Sequence, residues 1–384
     1  MKSACRTSSK LPDVGTTIFA VIRQLSLEHD ALDMSSGAPN FMCDPRLIER
    51  VAQAMRDGHN QYAPMIGVKT LREALATKVK ALYGAAYDPD AEITVMASAS
   101  EAIYAAITSL VHPGDEVIYF EPAFDSYAPS IRLQGGMPLA MKLKPDLFKI
   151  DWREVAAAVT PKTRMIIINS PHNPTSTILD RHDIEALTAL TRNTDIVILS
   201  DEVYEHMVFD GATHHSMASY PALAERSVIV SSFGKTYGVT GWRVGFFLAP
   251  PELTSELRKV HQFMTFAADT PMQVAFADAL ADPQSYLSLP AFYQRKRDLL
   301  AEKLAGSRLR MLPSQGGFFM LTDFKHFSDE PDDSFVRKLI RQHRVATIPL
   351  SAFYSDATDT GFIRLTFAKD EATIVEGARR LSEV

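Results

Sequence analysis

The sequence predicts an α/β protein, with a large domain over residues 46–282 built on a mostly parallel central sheet and a smaller α+β domain from residues 1–45 and 283–384. Three observations point there. Short apolar runs alternate with amphipathic stretches through the middle of the chain, the rhythm of repeated strand–helix units. The runs lack an alternating polar face, as strands covered by helices on both sides must. After Asp282 the texture shifts to long polar helices separated by single strands, which marks a second unit.

Strands are expected at Ile93–Met96, Glu116–Phe120, Met165–Asn169, Ile196–Ser200, Val228–Ser231 and Val244–Ala249. Apolar residues three and four apart predict helices at Pro45–Asp57, Gly67–Tyr83, Ser100–Val111, Arg181–Arg192 and Pro251–Phe263. The C-terminal part should run as a helix (Ser288–Leu304), a strand (Gly317–Leu321), a helix (Asp333–His343), a strand (Gly361–Phe367) and a last helix.

Composition narrows the function. At 384 residues, 46% hydrophobic and 22% charged, the chain can bury a core of this size. A net charge of −6 argues against nucleic acid as the main partner. Arg295-Lys296-Arg297 and Arg379-Arg380 sit in charge-mixed helical contexts and read as solvated faces. Cys5 and Cys43 make neither a disulfide framework nor a metal site. Lys2 and Arg6 precede no apolar core, so no secretory leader is expected. No window approaches the roughly 18 apolar residues of a membrane span. A soluble, cytoplasmic protein with no metal is the expectation.

The chemistry concentrates in Ser231-Ser232-Phe233-Gly234-Lys235-Thr236-Tyr237-Gly238-Val239-Thr240-Gly241-Trp242-Arg243-Val244-Gly245. Lys235 follows the apolar run Val228-Ile229-Val230 and stands among Phe233, Gly234 and Tyr237, where burial would lower its pKa and make it nucleophilic. Gly234-Lys235-Thr236 is not a P-loop, because the residue where that motif needs its first glycine is Ile229. Ser232-x-x-Lys235 followed by Gly241-Trp242-Arg243 instead resembles the lysine signature of class I/II aminotransferases that use pyridoxal 5′-phosphate (PLP).

Ligands of open α/β sheets collect beyond the carboxyl ends of the strands, and these ends carry residues suited to that cofactor. After Ile196–Ser200 come Asp201 and Tyr204: an acid for the ring nitrogen, which keeps the ring an electron sink, and a phenol for the ring hydroxyl. An isolated Asp201 would read equally as a helix cap. Asn173, in the proline-fixed loop Ser170-Pro171-His172-Asn173-Pro174-Thr175, is a second donor for that hydroxyl. Ser98 and Glu101 have capping-box spacing, and the helix start at Ala99 and Ser100 offers N–H groups to a phosphate, with Ser232 and Arg243 converging on it. Phe124 is preferred over Tyr127 for stacking on the ring, with core packing the rival for both. Arg364 stands alone in an apolar strand and suits a substrate carboxylate, with a structural ion pair as the other reading. Ser35-Ser36-Gly37-Ala38-Pro39 can close over the same carboxylate.

In chain order these parts are Gly37, Asn60-Gln61-Tyr62, Ser98-Ala99-Ser100, Phe124, Asn173-Pro174, Asp201-Glu202-Val203-Tyr204, Ser232-x-x-Lys235, Arg243 and Arg364. The order resembles the class I/II PLP-dependent aminotransferases over nearly the whole chain. The resemblance implies fold type I, a homodimer, Lys235 as the residue that carries PLP and moves the substrate proton, and Tyr62 reaching the cofactor phosphate of the neighbouring subunit. Within the family, Pro122-x-Phe124-Asp125-Ser126-Tyr127, Phe263-Met264-Thr265-Phe266 and Ile348-Pro349-Leu350-Ser351-Ala352-Phe353-Tyr354 are similar to the methionine aminotransferases and the kynurenine/glutamine transaminase K group. Ile18, Phe19, Phe266 and Phe353 are candidate walls of an apolar side-chain pocket. No basic residue lies between Gln262 and Pro271, so a large uncharged amino acid is favoured over aspartate. Ser98-Ala99-Ser100 replaces the commoner Gly-Ala-Thr, and Ser176 stands where glycine usually follows Asn-Pro-Thr; altered loop detail with intact chemistry is expected. Two other functions fit the same parts: a cysteine-S-conjugate β-lyase, and a non-catalytic ligand sensor. The second usually carries a DNA-binding module, for which the segment before Gly37 leaves no room.

Overall fold

The computed structural model describes residues 7–384, so Lys2, Cys5 and Arg6 lie outside the described residues. The chain enters through helix Ile18–Glu28 and a short strand, β1 (Leu32–Asp33). Seven strands then build the main sheet: β2 (Ile93–Met96), β3 (Glu116–Glu121), β4 (Met137–Lys142), β5 (Thr163–Asn169), β6 (Val197–Asp201), β7 (Ser227–Ser232) and β8 (Gly245–Leu248). Their spatial order is β2-β8-β7-β6-β5-β3-β4. β4, β3, β5, β6 and β7 run parallel, and β8 is antiparallel to both of its neighbours. Helices cover both faces, so Val117, Ile118, Ile166, Ile198 and Val230 are buried without alternation, as their composition required.

The register brings the functional strand ends together. Asn169 pairs with Asp201 across β5 and β6. Gly245 pairs with Met96 on one side and Ser232 on the other, so the loops after β2 and β7 open side by side. Only glycine fits there: a Cβ on Gly245 would lie 2.5 Å from the Ala99 nitrogen and 2.8 Å from the Ser231 carbonyl oxygen.

The remaining strands are β9 (Arg310–Met311), β10 (Phe319–Asp323), β11 (Val345–Ala346), β12 (Ile348–Pro349) and β13 (Phe362–Thr366). They form an antiparallel sheet in the order β12-β13-β10-β9, while β11 pairs in parallel with β1. The N-terminal segment is thereby fastened to the C-terminal part, and Asp33 adds an ion pair to Lys369 at 3.0 Å.

Several sequence expectations need correction. β4 was missed because it is a half-exposed edge strand containing Pro138. Helix Thr270–Leu280 was missed because it is buried nearly all round and shows little amphipathic period. Helix Asp333–His343 divides into an α-helix, Asp332–Lys338, and a wider π turn, Leu339–His343. Arg295-Lys296-Arg297 is not a solvated face. Lys296 is buried with its ammonium donating to the Lys369 carbonyl at 2.7 Å, and Arg297 bridges Asp210 and Asp298. Among the described residues, no helix is long and apolar enough to cross a membrane.

Candidate active site

A cavity of roughly 340 Å³ opens at the carboxyl ends of β5, β6 and β7, and it gathers most of the residues that the sequence nominated. Gly37, Ala99, Ser100, Phe124, Asn173, Asp201, Tyr204, Ser232, Lys235, Arg243, Arg364 and Phe19 all line it. Ser98 is set one residue behind as the N-cap of helix Ala99–Leu110, its hydroxyl accepting the Glu101 N–H at 3.2 Å.

Lys235 lies in the helical turn Phe233–Thr236 directly after β7. Its ammonium donates to the Gly37 carbonyl at 3.2 Å and rests over the rings of Tyr204 and Phe318, 5.5 and 5.3 Å from their centroids. Burial lowers its pKa to about 8; the cations Arg364 and Arg243 push the same way, and Asp201 opposes them. The amine is therefore far closer to its nucleophilic form at neutral pH than a surface lysine is.

Asp201, the last residue of β6, is the anionic counterpart. Burial raises its pKa to about 6, against the hydrogen bond that Tyr127 donates to Oδ2 at 2.6 Å. The Tyr127 hydroxyl is held far above its ordinary pKa by burial and by that carboxylate, so it remains a donor. Phe124 lines the cavity and Tyr127 does not. The sequence gave no sign of Tyr127's bond to Asp201, which joins residues on two strand ends.

Arg364, in β13, is 1% exposed. One terminal nitrogen donates to Asn173 Oδ1 at 2.6 Å and the other to the Ser35 carbonyl at 2.9 Å. Its Nε has no partner among the described residues. The guanidinium packs over Phe319, Phe353 and Phe19, 4.0, 4.9 and 5.4 Å from their centroids. Burial lowers its pKa only to about 10, so it stays a cation at neutral pH. Among the described residues no carboxylate pairs with it, which removes the structural ion pair as the explanation for a buried arginine. Asn173, expected as a donor toward a ring hydroxyl, also uses its oxygen to orient Arg364, which leaves its NH2 group for the donor role.

The loop over this cation is built on Asp33. Its carboxylate accepts the Ser35 and Ser36 N–H groups and both hydroxyls, and these bonds together with Lys369 hold its pKa well below the usual range against burial. Gly37 then passes so close to Phe319 and Phe318 that a Cβ would lie 3.2 and 3.3 Å from them. Ser176, the departure after Asn-Pro-Thr, adopts a left-handed φ of 61° that favours glycine, and its buried hydroxyl donates to the Phe319 carbonyl at 2.7 Å.

Besides Ser98, four nominated residues do not line the cavity. Ile18 packs half-buried against the core, and the wall position falls to its neighbour Phe19. Phe353 stands behind, edge-on to Phe19 at 5.8 Å. Phe266, past the end of helix Pro251–Met264, turns with a φ of 67° toward Tyr62, the two rings meeting edge-on at 5.5 Å on exposed surface. Tyr62 itself is 85% exposed. Phe319 and Ile103 are walls that sequence reasoning missed.

The site therefore joins a nucleophilic amine, a buried acid and a guanidinium with no carboxylate partner among the described residues around an apolar space, on a mostly parallel sheet. The chain matches the family described as aminotransferase class I and II over residues 29–381, and it belongs to that family. Its cofactor is pyridoxal 5′-phosphate. It is 48% identical to the methionine aminotransferase of Escherichia coli K12, over 98% of both chains. The crystal structure of an Escherichia coli protein identified as a methionine aminotransferase superimposes with a TM-score of 0.97, covering 99% of this chain and 100% of that one at 48% identity. Human kynurenine–oxoglutarate transaminase 1 is 34% identical, over 91% of this chain and 92% of its own.

Proposed function

We propose that this aminotransferase takes its amino group from large uncharged amino acids, methionine foremost and aromatic residues or glutamine next, and passes it to a 2-oxo acid by a ping-pong mechanism. The observation that carries the reading is the lining of the cavity. Its only charged side chains among the described residues are Asp201, Lys235, Arg243 and Arg364, and its walls include Phe19, Phe124 and Phe319. Arg364 is the cation for the α-carboxylate, and no further cation remains for a second one. The likeness to the Escherichia coli methionine aminotransferase, at 48% identity, supports the same substrate class.

The residues fit the cofactor. The unpartnered Nε of buried Arg364, the carboxylate of Asp201 and the lowered pKa of Lys235 are groups held for a ligand. Helix geometry leaves the first-turn N–H groups of Ala99 and Ser100 without intrahelical acceptors. We assign the phosphate to those groups with Ser98, Ser232 and Arg243, the ring nitrogen to Asp201, the ring face to Phe124 and the ring hydroxyl to Asn173 and Tyr204. When bound, the cofactor supplies an electron sink that acidifies the substrate Cα–H. Lys235 would accept that proton from Cα and return it to the cofactor C4′, two bonds away, which a free amine of pKa about 8 can do in both directions. Arg364, held by Asn173 and the Ser35 carbonyl, orients the substrate carboxylate. Phe19 and Phe319 exclude water around the side chain.

A division at residues 46–282 against 1–45 and 283–384, a homodimer with Tyr62 serving the neighbouring site, and a cytoplasmic location complete the proposal. Its test is a half-reaction screen in which the PLP form is mixed with single amino acids and conversion to the amine form is followed by absorbance. Methionine should convert fastest. Preference for aspartate or glutamate would overturn the apolar-pocket reading, and pyruvate with ammonia from a cysteine conjugate without any acceptor would favour the lyase.

A further inference from the structure

Glu101, the third residue of helix Ala99–Leu110, is buried, and its carboxylate is engaged on every side. Oε2 accepts the Ala97 N–H at 2.6 Å. Oε1 accepts the Thr265 hydroxyl at 2.6 Å and lies 2.8 Å from Nδ1 of His261. The capping box expected here is thus only half formed, because Glu101 reaches back to Ala97 instead of the Ser98 N–H. His261 is fully buried, and its Nε2 lies 3.0 Å from the Met65 carbonyl. A carbonyl only accepts, so Nε2 carries a proton. A second proton is held between Nδ1 and Oε1, either on the imidazole beside a carboxylate or on the carboxyl beside a neutral ring.

A buried pair of this kind contributes little net stability compared with apolar packing, but it fixes direction. Its two ends show what it directs. Glu101 is fastened through both backbone and side chain to the turn that presents Ala99 and Ser100 to the cavity. Met65 follows closely on Tyr62, whose ring meets Phe266, the neighbour of Thr265. Thr270 adds a hydroxyl bond to the Gln61 carbonyl at 2.7 Å.

We propose that Glu101 and His261 form a positioning pair for phosphate recognition, setting the helix end of this subunit's own seat and, through Met65, the Tyr62 segment offered to the neighbouring seat. The inference rests on the assignment of the phosphate to the Ala99–Ser100 helix end. Neither residue lines the cavity, and the proton chemistry of Lys235 is left alone.

The test compares the dissociation constants of the apoprotein for PLP and for pyridoxal, which lacks the phosphate. The pyridoxal constant divided by the PLP constant isolates the seat, since damage to the Lys235 pocket or to overall stability weakens both ligands together. His261→Phe removes a bond to a charged or proton-sharing partner and should lower the ratio about tenfold or more. Glu101→Gln should keep it within about threefold, because the amide oxygen still accepts the Ala97 N–H while its NH2 group donates to Nδ1. If His261→Phe does not fold, Thr265→Val, at an exposed position, removes one bond to Oε1 and should lower the ratio about threefold. Arg243→Gln is the control on the seat itself. A ratio unchanged by the His261 or Thr265 variants while Arg243→Gln lowers it overturns the positioning pair alone. A ratio unchanged by Arg243→Gln as well overturns the assignment of the seat.

Discussion

Replacing Arg364 by lysine keeps a cation in the site and removes the planar fork. In the wild-type protein two terminal nitrogens are committed, at 2.6 Å to Asn173 and 2.9 Å to the Ser35 carbonyl, which leaves Nε and the outer edge of the guanidinium for a ligand. A lysine ammonium is a single point and cannot hold those two acceptors and a carboxylate in one plane. The loss is one charge-assisted hydrogen bond, with part of a second, at about 1.5–3 kcal/mol each. That is about 2–4 kcal/mol, or about 30- to 1000-fold in kcat/KM for methionine. The assay pairs methionine with its decarboxylated amine in the half-reaction, both followed by the cofactor spectrum. The amine has no carboxylate to lose, so its rate constant should change by less than about threefold. Equal losses on both substrates, or none on methionine, would refute the carboxylate role.

Three further outcomes follow from the site. Capture of PLP by the apoprotein should rise with pH around a midpoint near 8, because the neutral amine is the nucleophile. The fall from 10.5 makes about 300-fold more free amine at pH 7 than an ordinary lysine has, and a midpoint above 10 in a stopped-flow profile would contradict it. Asp201 has a folded-state pKa of about 6, above its unfolded value of 3.8, so the folded apoprotein holds the extra proton and loses stability as pH rises through that window. Asp201→Asn should therefore stabilise the apoprotein by about 3 kcal/mol at pH 7 in urea unfolding and change little below pH 4, while abolishing amino transfer. Gly245→Ala drives a methyl into the Ala99 nitrogen and should cost about 1–3 kcal/mol with weaker PLP binding; unaltered unfolding would show that the junction of β2, β7 and β8 is looser than its geometry.

The strands that carry the site were legible because parallel strands buried on both faces announce themselves as unbroken apolar runs, and their last residues follow in sequence. Asp201, Asn173 and Lys235 could be read for that reason. Elements at the edge were not. β4 is half-exposed without a clean alternation and contains a proline, and helix Thr270–Leu280 is too evenly apolar to show a face. Partnerships across long sequence distances were also invisible. Tyr127 was weighed as a stacking ring, yet its hydroxyl serves Asp201. Asn173 was read as a donor, yet its oxygen holds Arg364, a residue from the far end of the chain. Nothing in the run Ser35-Ser36-Gly37 indicated that Asp33 and Lys369 would brace it. His261 lies on a helix whose pattern gives no hint that it faces Glu101.

The central claim is that Lys235 carries the cofactor in this cavity. Borohydride reduction of the holoenzyme, followed by digestion and mass analysis, tests it directly. The added mass of the reduced cofactor should appear on the peptide that contains Lys235 and disappear in Lys235→Ala. Its appearance on another lysine, such as buried Lys78 or Lys296, or its persistence in the variant, would contradict the account.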